Sequence, residues 1–410
     1  MKGMNLIMKK TLKDMDLKNK KVLLRCDYNV PIENGVIIDD TKILASLDTI
    51  EYLLNQNCSI IILSHLGKVK SEEDKLKYTL EPVAKRLKEL LNTKVTFSKQ
   101  CVSTIVEEAV AKMAPLDIIL LENTRHRDYP NKEESGNDLQ LANYWAGLAD
   151  VFVMDAFGSA HRRHASTYGV AKLLPSCIGL LVEQEINALK KYVMEPKRPF
   201  TVLMGGAKVD DKLPIIEKLI PSCDYLLLTG ALANTCLQIL GFNIGTSMVT
   251  KEPHLIEQMK KILVANKEKI MLPLDVIVGR KYNNDYLKHL NLIDISDDDI
   301  ILDIGMKTVE KYNSAISSSK TIFINGTAGK YEDDRFATGT RELLLKVANT
   351  DAITIIGGGD SVSAVNKFGL KNEFTYLSTG GGATLEYIKD GKLDALDAIE
   401  EESSYEVLDV

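Results

Sequence analysis

The chain has 410 residues, 45% of them hydrophobic, more than one core usually holds, so two domains are expected. Its formal net charge is −6 with 26% charged residues, a weakly acidic balance that argues against holding nucleic acid by phosphate neutralisation. The N-terminal stretch MKGMNLIMKKTLKDMDLKNKK has no sustained apolar segment and no run reaches membrane-spanning length, so a cytoplasmic protein with neither membrane nor nucleic-acid partner is expected.

Along the chain, short β-rich runs alternate with segments of helical period. In the first half the runs are Val22–Arg25, Ser59–Leu63, Lys94–Phe97, Asp117–Leu121 and Val151–Met154. Between them lie patterns such as LEPVAKRLKELL (Leu80–Leu91), with apolar residues at helical spacing. VEQEINALKKYV puts Val182, Ile186, Leu189 and Val193 on one helical face before MEPKRP breaks it, so the join between domains falls in Ile178–Pro199. In the second half the runs are Phe200–Met204, Tyr225–Leu228, Thr321–Ile324, Ile353–Ile356 and Phe374–Leu377. Continuously apolar strands separated by helices indicate an α/β fold with two doubly wound parallel sheets in tandem. The six cysteines are far apart, with no C-x-x-C, and read as reduced core thiols. Asp297, Asp298 and Asp299 read as a solvated turn, and the acidic tail EEESSYEVLDV as frayed.

Ligands of open parallel sheets bind at the carboxyl ends of the strands, so the residues that follow each run carry the functional reading. The first half offers Asp27 and Asn29 (RCDYNVP), His65 and Lys68 (SHLGK), Glu122, Asn123 and Arg125 (LLENTR), and Asp155, His161 and Arg162 (MDAFGSAHRRH), with Lys42 nearby. Such a set suits a small, multiply anionic ligand, arginine gripping by its planar fork and lysine as a point charge. A bland role is available to each: Asp27 and Asn29 as turn formers, His65 as a structural histidine. His161 and His164 have metal-like spacing, but Arg162 and Arg163 between them repel a cation.

The second half puts glycine at the same places: Gly205-Gly206-Ala207-Lys208, Gly230, Asn325-Gly326, Gly357-Gly358-Gly359-Asp360-Ser361 and Thr379-Gly380-Gly381-Gly382. Glycine lets backbone amides approach phosphate oxygens, a following helix adds its N-terminal charge, and Asp360 could hold Mg2+ beside them. One glycine cluster alone is weak, because glycines also mark tight turns; several at successive strand ends read as a nucleotide site. Neither a Walker loop nor G-x-G-x-x-G is present. An anion site in one half and a nucleotide site in the other point to phosphoryl transfer.

RCDYNVP, SHLGK, LLENTR, DAFGSAHR, GGAKVDDK, LPLDV, LDIG, NGTAGKYE, IIGGGDS and STGGGA, in that order from Leu23 to Gly391, resemble the signature segments of the phosphoglycerate kinase family. The resemblance implies two Rossmann-like parallel-sheet domains joined by a helix: residues 1–180 for the acid substrate, 181–198 as hinge, 199–392 for the nucleotide. It further implies that residues 393–410 fold back on the first domain. The implied activity is transfer between 1,3-bisphosphoglycerate and MgADP in glycolysis, by a monomer whose partners are small molecules, 3-phosphoglycerate and ATP. Asp27, Asn29, Lys42, His65, Lys68, Arg125 and Arg162 would then bind phosphoglycerate. Gly206, Ala207, Lys208, Lys212, Gly230, Asn325, Glu332, Gly357, Gly358, Gly359, Asp360 and Ser361 would bind nucleotide, with Mg2+ on Asp360. Lys42, Lys208, Gly358 and Gly381 would act on the transferring group, Gly381 as part of the Gly380–Gly382 turn. This chain departs from the family at Lys42 and Lys68, where the family has arginine, and at Val69, Thr229, Ala231 and Met306. The two lysines keep charge and lose the bidentate fork, and Thr229 and Ala231 would crowd the base pocket. These departures leave open a divergent kinase of lower activity or altered specificity, and a nucleotide-binding protein without turnover.

Overall fold

The computed structural model describes residues 9–401, the side chain of Asn284 excepted. The chain divides into two compact units: the described residues up to Ile186 together with the segment from Asp390 on, and Asn187–Lys389.

The first unit is built on a six-stranded parallel sheet. Its strands are β1 (Lys21–Cys26), β4 (Ser59–Leu63), β5 (Val95–Ser98), β6 (Ile118–Leu121), β7 (Val151–Asp155) and β8 (Ser176–Ile178), in the order β5-β6-β4-β1-β7-β8. A two-stranded hairpin, β2 (Ile32–Glu33) with β3 (Val36–Ile37), leaves the end of β1. Strands β1, β4 and β7 are buried along nearly their whole length, as sheets covered on both faces require. Alternation sorts the sides of β1: Val22, Leu24 and Cys26 join one core with Ile60, Ile62 and Val153, while Leu23 and Arg25 point the other way. Parallel register aligns Arg25 with both Leu63 and Met154, so the residues just past these positions emerge side by side at one edge. The segment after Asp390 joins this unit: the Ala395 amide donates to the Ala160 carbonyl, Arg163 pairs with Asp394 at 3.1 Å, and the Lys10 amide donates to the Glu400 carbonyl.

In the second unit, β9 (Phe200–Met204), β10 (Tyr225–Leu228), β11 (Ile270–Met271), β15 (Thr321–Asn325), β16 (Ile353–Gly357) and β17 (Tyr376–Leu377) form a second parallel sheet, ordered β11-β10-β9-β15-β16-β17. A separate antiparallel sheet, β12 (Asp275–Arg280), β13 (Asn283–Asn291) and β14 (Ile300–Ile304), is ordered β13-β12-β14 over its own small core of Leu237, Ile244, Val276, Val278, Leu292 and Ile295. The expected helix at the join is present over Leu180–Leu189, runs from the first unit into the second and continues as a wider turn through Met194, with Val182, Ile186, Leu189 and Val193 all buried.

Several elements differ from the sequence expectation. The runs placed at Lys94–Phe97 and Phe374–Leu377 form strands at Val95–Ser98 and Tyr376–Leu377. The short strands β8 and β11 and the antiparallel sheet were not expected. Asp299 is not part of a solvated turn: it is buried, accepts from the Ser296 amide at 2.9 Å and pairs with Arg280 at 3.0 Å, while Asp297 and Asp298 are exposed. All six cysteines are buried and free. Of the acidic tail, residues 402–410 lie outside the described residues.

Candidate functional site

At the carboxyl edge of the first sheet, Asp27 follows β1 and accepts from the Asn29 amide at 3.1 Å and from the Lys42 ammonium at 2.9 Å. Burial alone would push the Asp27 carboxyl up, but the charge and hydrogen bond of Lys42 outweigh it and hold the group well below the usual carboxylate range. Asn29, exposed, accepts from the Gly67 amide at 2.9 Å and so ties the loop after β1 to the loop after β4. His65, 7% exposed, lies at the start of that second loop; burial pushes its pKa well below the ordinary value, and Asp27 opposes the shift.

Asn123, after β6, clamps the same loop. Its amide oxygen accepts from the Leu66 and Arg125 amides at 3.0 Å each, and its nitrogen donates to the Leu66 and Tyr78 carbonyls at 2.7 and 2.8 Å. Arg125 is buried, with Asp128 3.6 Å from one terminal nitrogen and its Nε without a hydrogen-bond partner. A buried guanidinium nitrogen with nothing to donate to is a strong draw for an anion. Arg162, exposed after β7, donates from Nε to His161 Nε2 at 3.1 Å, and Lys68 is exposed. Asp27, Asn29, Lys42, His65 and Arg125 are thus joined by direct bonds or by loops bonded to one another. Arg162 and Lys68 lie on the loops after β7 and β4, the two strands that flank β1.

Sequence reading missed two members of this cluster. Arg25, fully buried, donates from Nε to Ser166 Oγ at 2.9 Å and from a terminal nitrogen to the Cys26 carbonyl, and its other terminal nitrogen lies 3.2 Å from His65 Nδ1. Glu134, also fully buried, accepts from the Ser166 hydroxyl and from the Ser166 amide at 2.9 Å, and burial raises its pKa. A lone arginine inside VLLRC was the available signal for the first; PNKEESGND gives none for the second.

The second unit assembles its strand ends through backbone. The Gly205 amide donates to the Asn325 carbonyl at 3.0 Å, the Gly206 amide to the Thr327 carbonyl at 2.9 Å, and the Ala231 amide to the Gly206 carbonyl at 2.9 Å. The loops after β9, β10 and β15 therefore form one bonded surface. Gly230 has φ +58°, and a Cβ there would lie 2.6 Å from the Gly206 oxygen, so the chain needs glycine on both counts. Lys212, buried, turns inward to donate to the Gly205 carbonyl; burial pulls its pKa down to about 8 against the attraction of Asp360. Lys208 and Ala207 are exposed on the same loop, Lys208 within 3.9 Å of Asp211.

Asn325, 2% exposed at the tip of β15, has an amide nitrogen with no partner, next to Gly358. Gly358, at φ +90°, opens the helix Gly359–Lys367, which carries exposed Asp360 in its first turn. Ser361 faces inward and accepts from the Gly326 amide at 2.6 Å, bonding the loop after β15 to this helix. Gly381 (φ +54°) and Gly380 precede the helix Gly382–Asp390. An unpaired buried amide donor and two helix N-termini at adjacent strand ends can hold phosphate oxygens. Glu332 is exposed past Asn325. Asp303, buried behind Gly329 and Gly339, accepts from the Gly339 amide at 2.6 Å, and burial raises its pKa to about 7. Thr229 does not project into a cleft: it is fully buried, its hydroxyl 3.4 Å from the Thr327 carbonyl, and Ala231 is buried beside it.

Among the described residues no group of three or more His, Cys, Asp or Glu side chains could hold a metal. The donor set at Asp360, one carboxylate at a helix start, fits a magnesium ion that arrives with nucleotide phosphates rather than a resident ion.

Doubly wound units of this kind, one edged with side-chain cations and the other with open backbone, place the chain among the two-domain α/β kinases. The family model for phosphoglycerate kinase matches residues 12–392. The phosphoglycerate kinase of Enterococcus faecalis (strain ATCC 700802 / V583) is 44% identical over 394 residues, covering 95% of this chain and 99% of the relative. That of Lacticaseibacillus casei (strain BL23) is 45% identical over 388 residues, covering 94% and 98%. Among solved structures, phosphoglycerate kinase from Coxiella burnetii is similar with a TM-score of 0.79 at 34% identity, over 95% of this chain and 98% of that one. The enzyme from Pyrococcus horikoshii OT3 has a TM-score of 0.81 at 30% identity with the same coverage. The chain belongs to the phosphoglycerate kinase family, and it is a phosphotransferase.

Proposed function

We propose that the chain transfers a phosphoryl group reversibly between 1,3-bisphosphoglycerate and MgADP, giving 3-phosphoglycerate and MgATP, as a cytoplasmic monomer. The observation that carries this reading is the contrast between the two strand-end sets: cationic side chains in the first unit and glycine-rich backbone in the second. Arg125, Arg162, Lys68 and His65 would grip the acid and its phosphate, with Asn29 and the Asp27–Lys42 pair orienting it. In the reverse direction a carboxylate oxygen attacks the γ-phosphorus and the bond to the ADP oxygen breaks, so no proton need move. The work left to the protein is positioning and neutralising charge.

Gly206, Ala207, Gly230, Asn325, Gly357, Gly358 and Gly359 would present main chain and one amide to the nucleotide, Glu332 would take the ribose, and Lys208 and Lys212 would neutralise phosphates. Ser361 would act through its bond to the Gly326 amide. Gly381 would offer a helix start to the transferring group, and Lys42 would stabilise its charge. Asp360 would hold Mg2+, which supplies charge neutralisation across the phosphates. The test is a coupled assay of the purified protein with 3-phosphoglycerate and MgATP, paired with calorimetric titration of each ligand. Turnover with separate, independent binding of the two ligands supports the reading; nucleotide binding without turnover overturns it.

A further inference from the structure

We propose that Arg25 is a positioning residue that fixes the tautomer of His65, so that the ring meets the acid substrate as a neutral Nε2–H donor. One terminal nitrogen of Arg25 lies 3.2 Å from His65 Nδ1, with both side chains buried. A guanidinium has five donors and no acceptor, so the contact is a hydrogen bond only if Nδ1 accepts. The ring proton then sits on Nε2. The alternative tautomer sets two N–H groups against each other at that distance, and an imidazolium does the same while adding a cation beside a buried cation.

The charges of Arg25, Arg125, Lys42 and Asp27 act on the ring. Arg25 on β1, Arg125 after β6 and Lys42 on the helix Thr41–Leu44 all disfavour its protonation, and Asp27 favours it. Arg25 itself cannot swing away. Its Nε is fixed by Ser166, and Ser166 is fixed by Glu134, which accepts from both its hydroxyl and its amide. The buried carboxylate supplies Arg25 with its counter-charge one hydroxyl away, which makes the buried cation tolerable. The order Glu134, Ser166, Arg25, His65 therefore runs from the segments after β6 and β7 through the end of β1 to the loop after β4, and each member constrains the next.

The inference rests on the reading of His65 as a contact for the acid, and the experiment separates the two. The full-length protein labelled with 15N is examined by histidine side-chain spectra, His65 being assigned with His65→Gln. The expected result is an Nε2–H pattern that persists through the range in which free imidazole titrates. In Arg25→Met/Glu134→Gln, which removes both buried charges together, the ring should titrate and populate both tautomers. Its KM for 3-phosphoglycerate should rise about tenfold with the KM for MgATP unchanged, and Arg25→Lys should recover part of the loss. Ser166→Ala gives the same direction more weakly and serves if the double variant does not fold. An Nδ1–H pattern in the unaltered protein, or an unchanged pattern in the folded double variant, overturns the proposal. Adding 3-phosphoglycerate should shift the His65 signals; a fixed tautomer with no shift would overturn the acid contact and leave the role of Arg25 standing.

Discussion

The two sheets present their carboxyl ends in opposite chemical styles. In the first unit, side chains carry the charge and other side chains hold them or their loops: Asp27 on Lys42, Asn29 on the Gly67 amide, Asn123 on the Leu66 and Arg125 amides, and Glu134 on Ser166, which in turn holds Arg25. In the second, the main chains of three loops bond to each other and leave amides and helix starts open. The difference teaches what each ligand demands. A compact acid needs fixed positive points, and these need a rigid polar frame. A nucleotide tail is long and runs over several loops, so close approach of backbone matters more than any one side chain.

The comparison breaks most sharply at Asp360. Asp360→Ala should lower kcat/KM on the order of 10²–10³-fold and weaken MgATP binding while sparing 3-phosphoglycerate, as read by kinetics and calorimetry. Equal loss of both ligands would dissolve the division. Next comes Gly230→Ala, which forces a positive φ and a contact on Gly206; it should cost about 1–3 kcal/mol in urea unfolding of the second unit. A larger side-chain change in the first unit's exposed loops, such as Lys68→Ala, should leave stability nearly unchanged.

Lys42→Arg sharpens the first unit's side of the contrast. A fork in place of a point charge should raise kcat/KM for the acid up to about tenfold, with nucleotide KM unchanged. The smallest effect is a pH dependence in the second unit. Lys212 has its pKa depressed to about 8, so it is charged below that and neutral above it. Nucleotide affinity should therefore fall as pH rises past about 8, and Lys212→Met should flatten that slope in titrations made at several pH values.

Much of this was legible in the chain. The central strands are continuous apolar runs, and the residues after them could be read directly because parallel sheets align their tips. What escaped lacked such a signature. Strands β8 and β11 have three and two residues, too short to show a period. The antiparallel sheet has one long exposed strand, Asn283–Asn291, whose polar sequence reads as loop. Asp299 looked solvated because its partner Arg280 is far away in sequence. The inward turn of Lys212 over Gly206, where a Cβ would lie 2.7 Å from its Nζ, had no signal either, because that room comes from a missing atom on another residue. Glu134 gains its meaning only from Ser166 and Arg25, which no local pattern connects.

The first unit is assembled from two segments that flank the second in the chain, whereas the second is one uninterrupted stretch. During synthesis, then, the later-made unit has all its own residues before the earlier-made one does. The loop that bears Arg162 and Arg163 gains its contacts with Asp394 and Ala395 only after every residue of the second unit has been made.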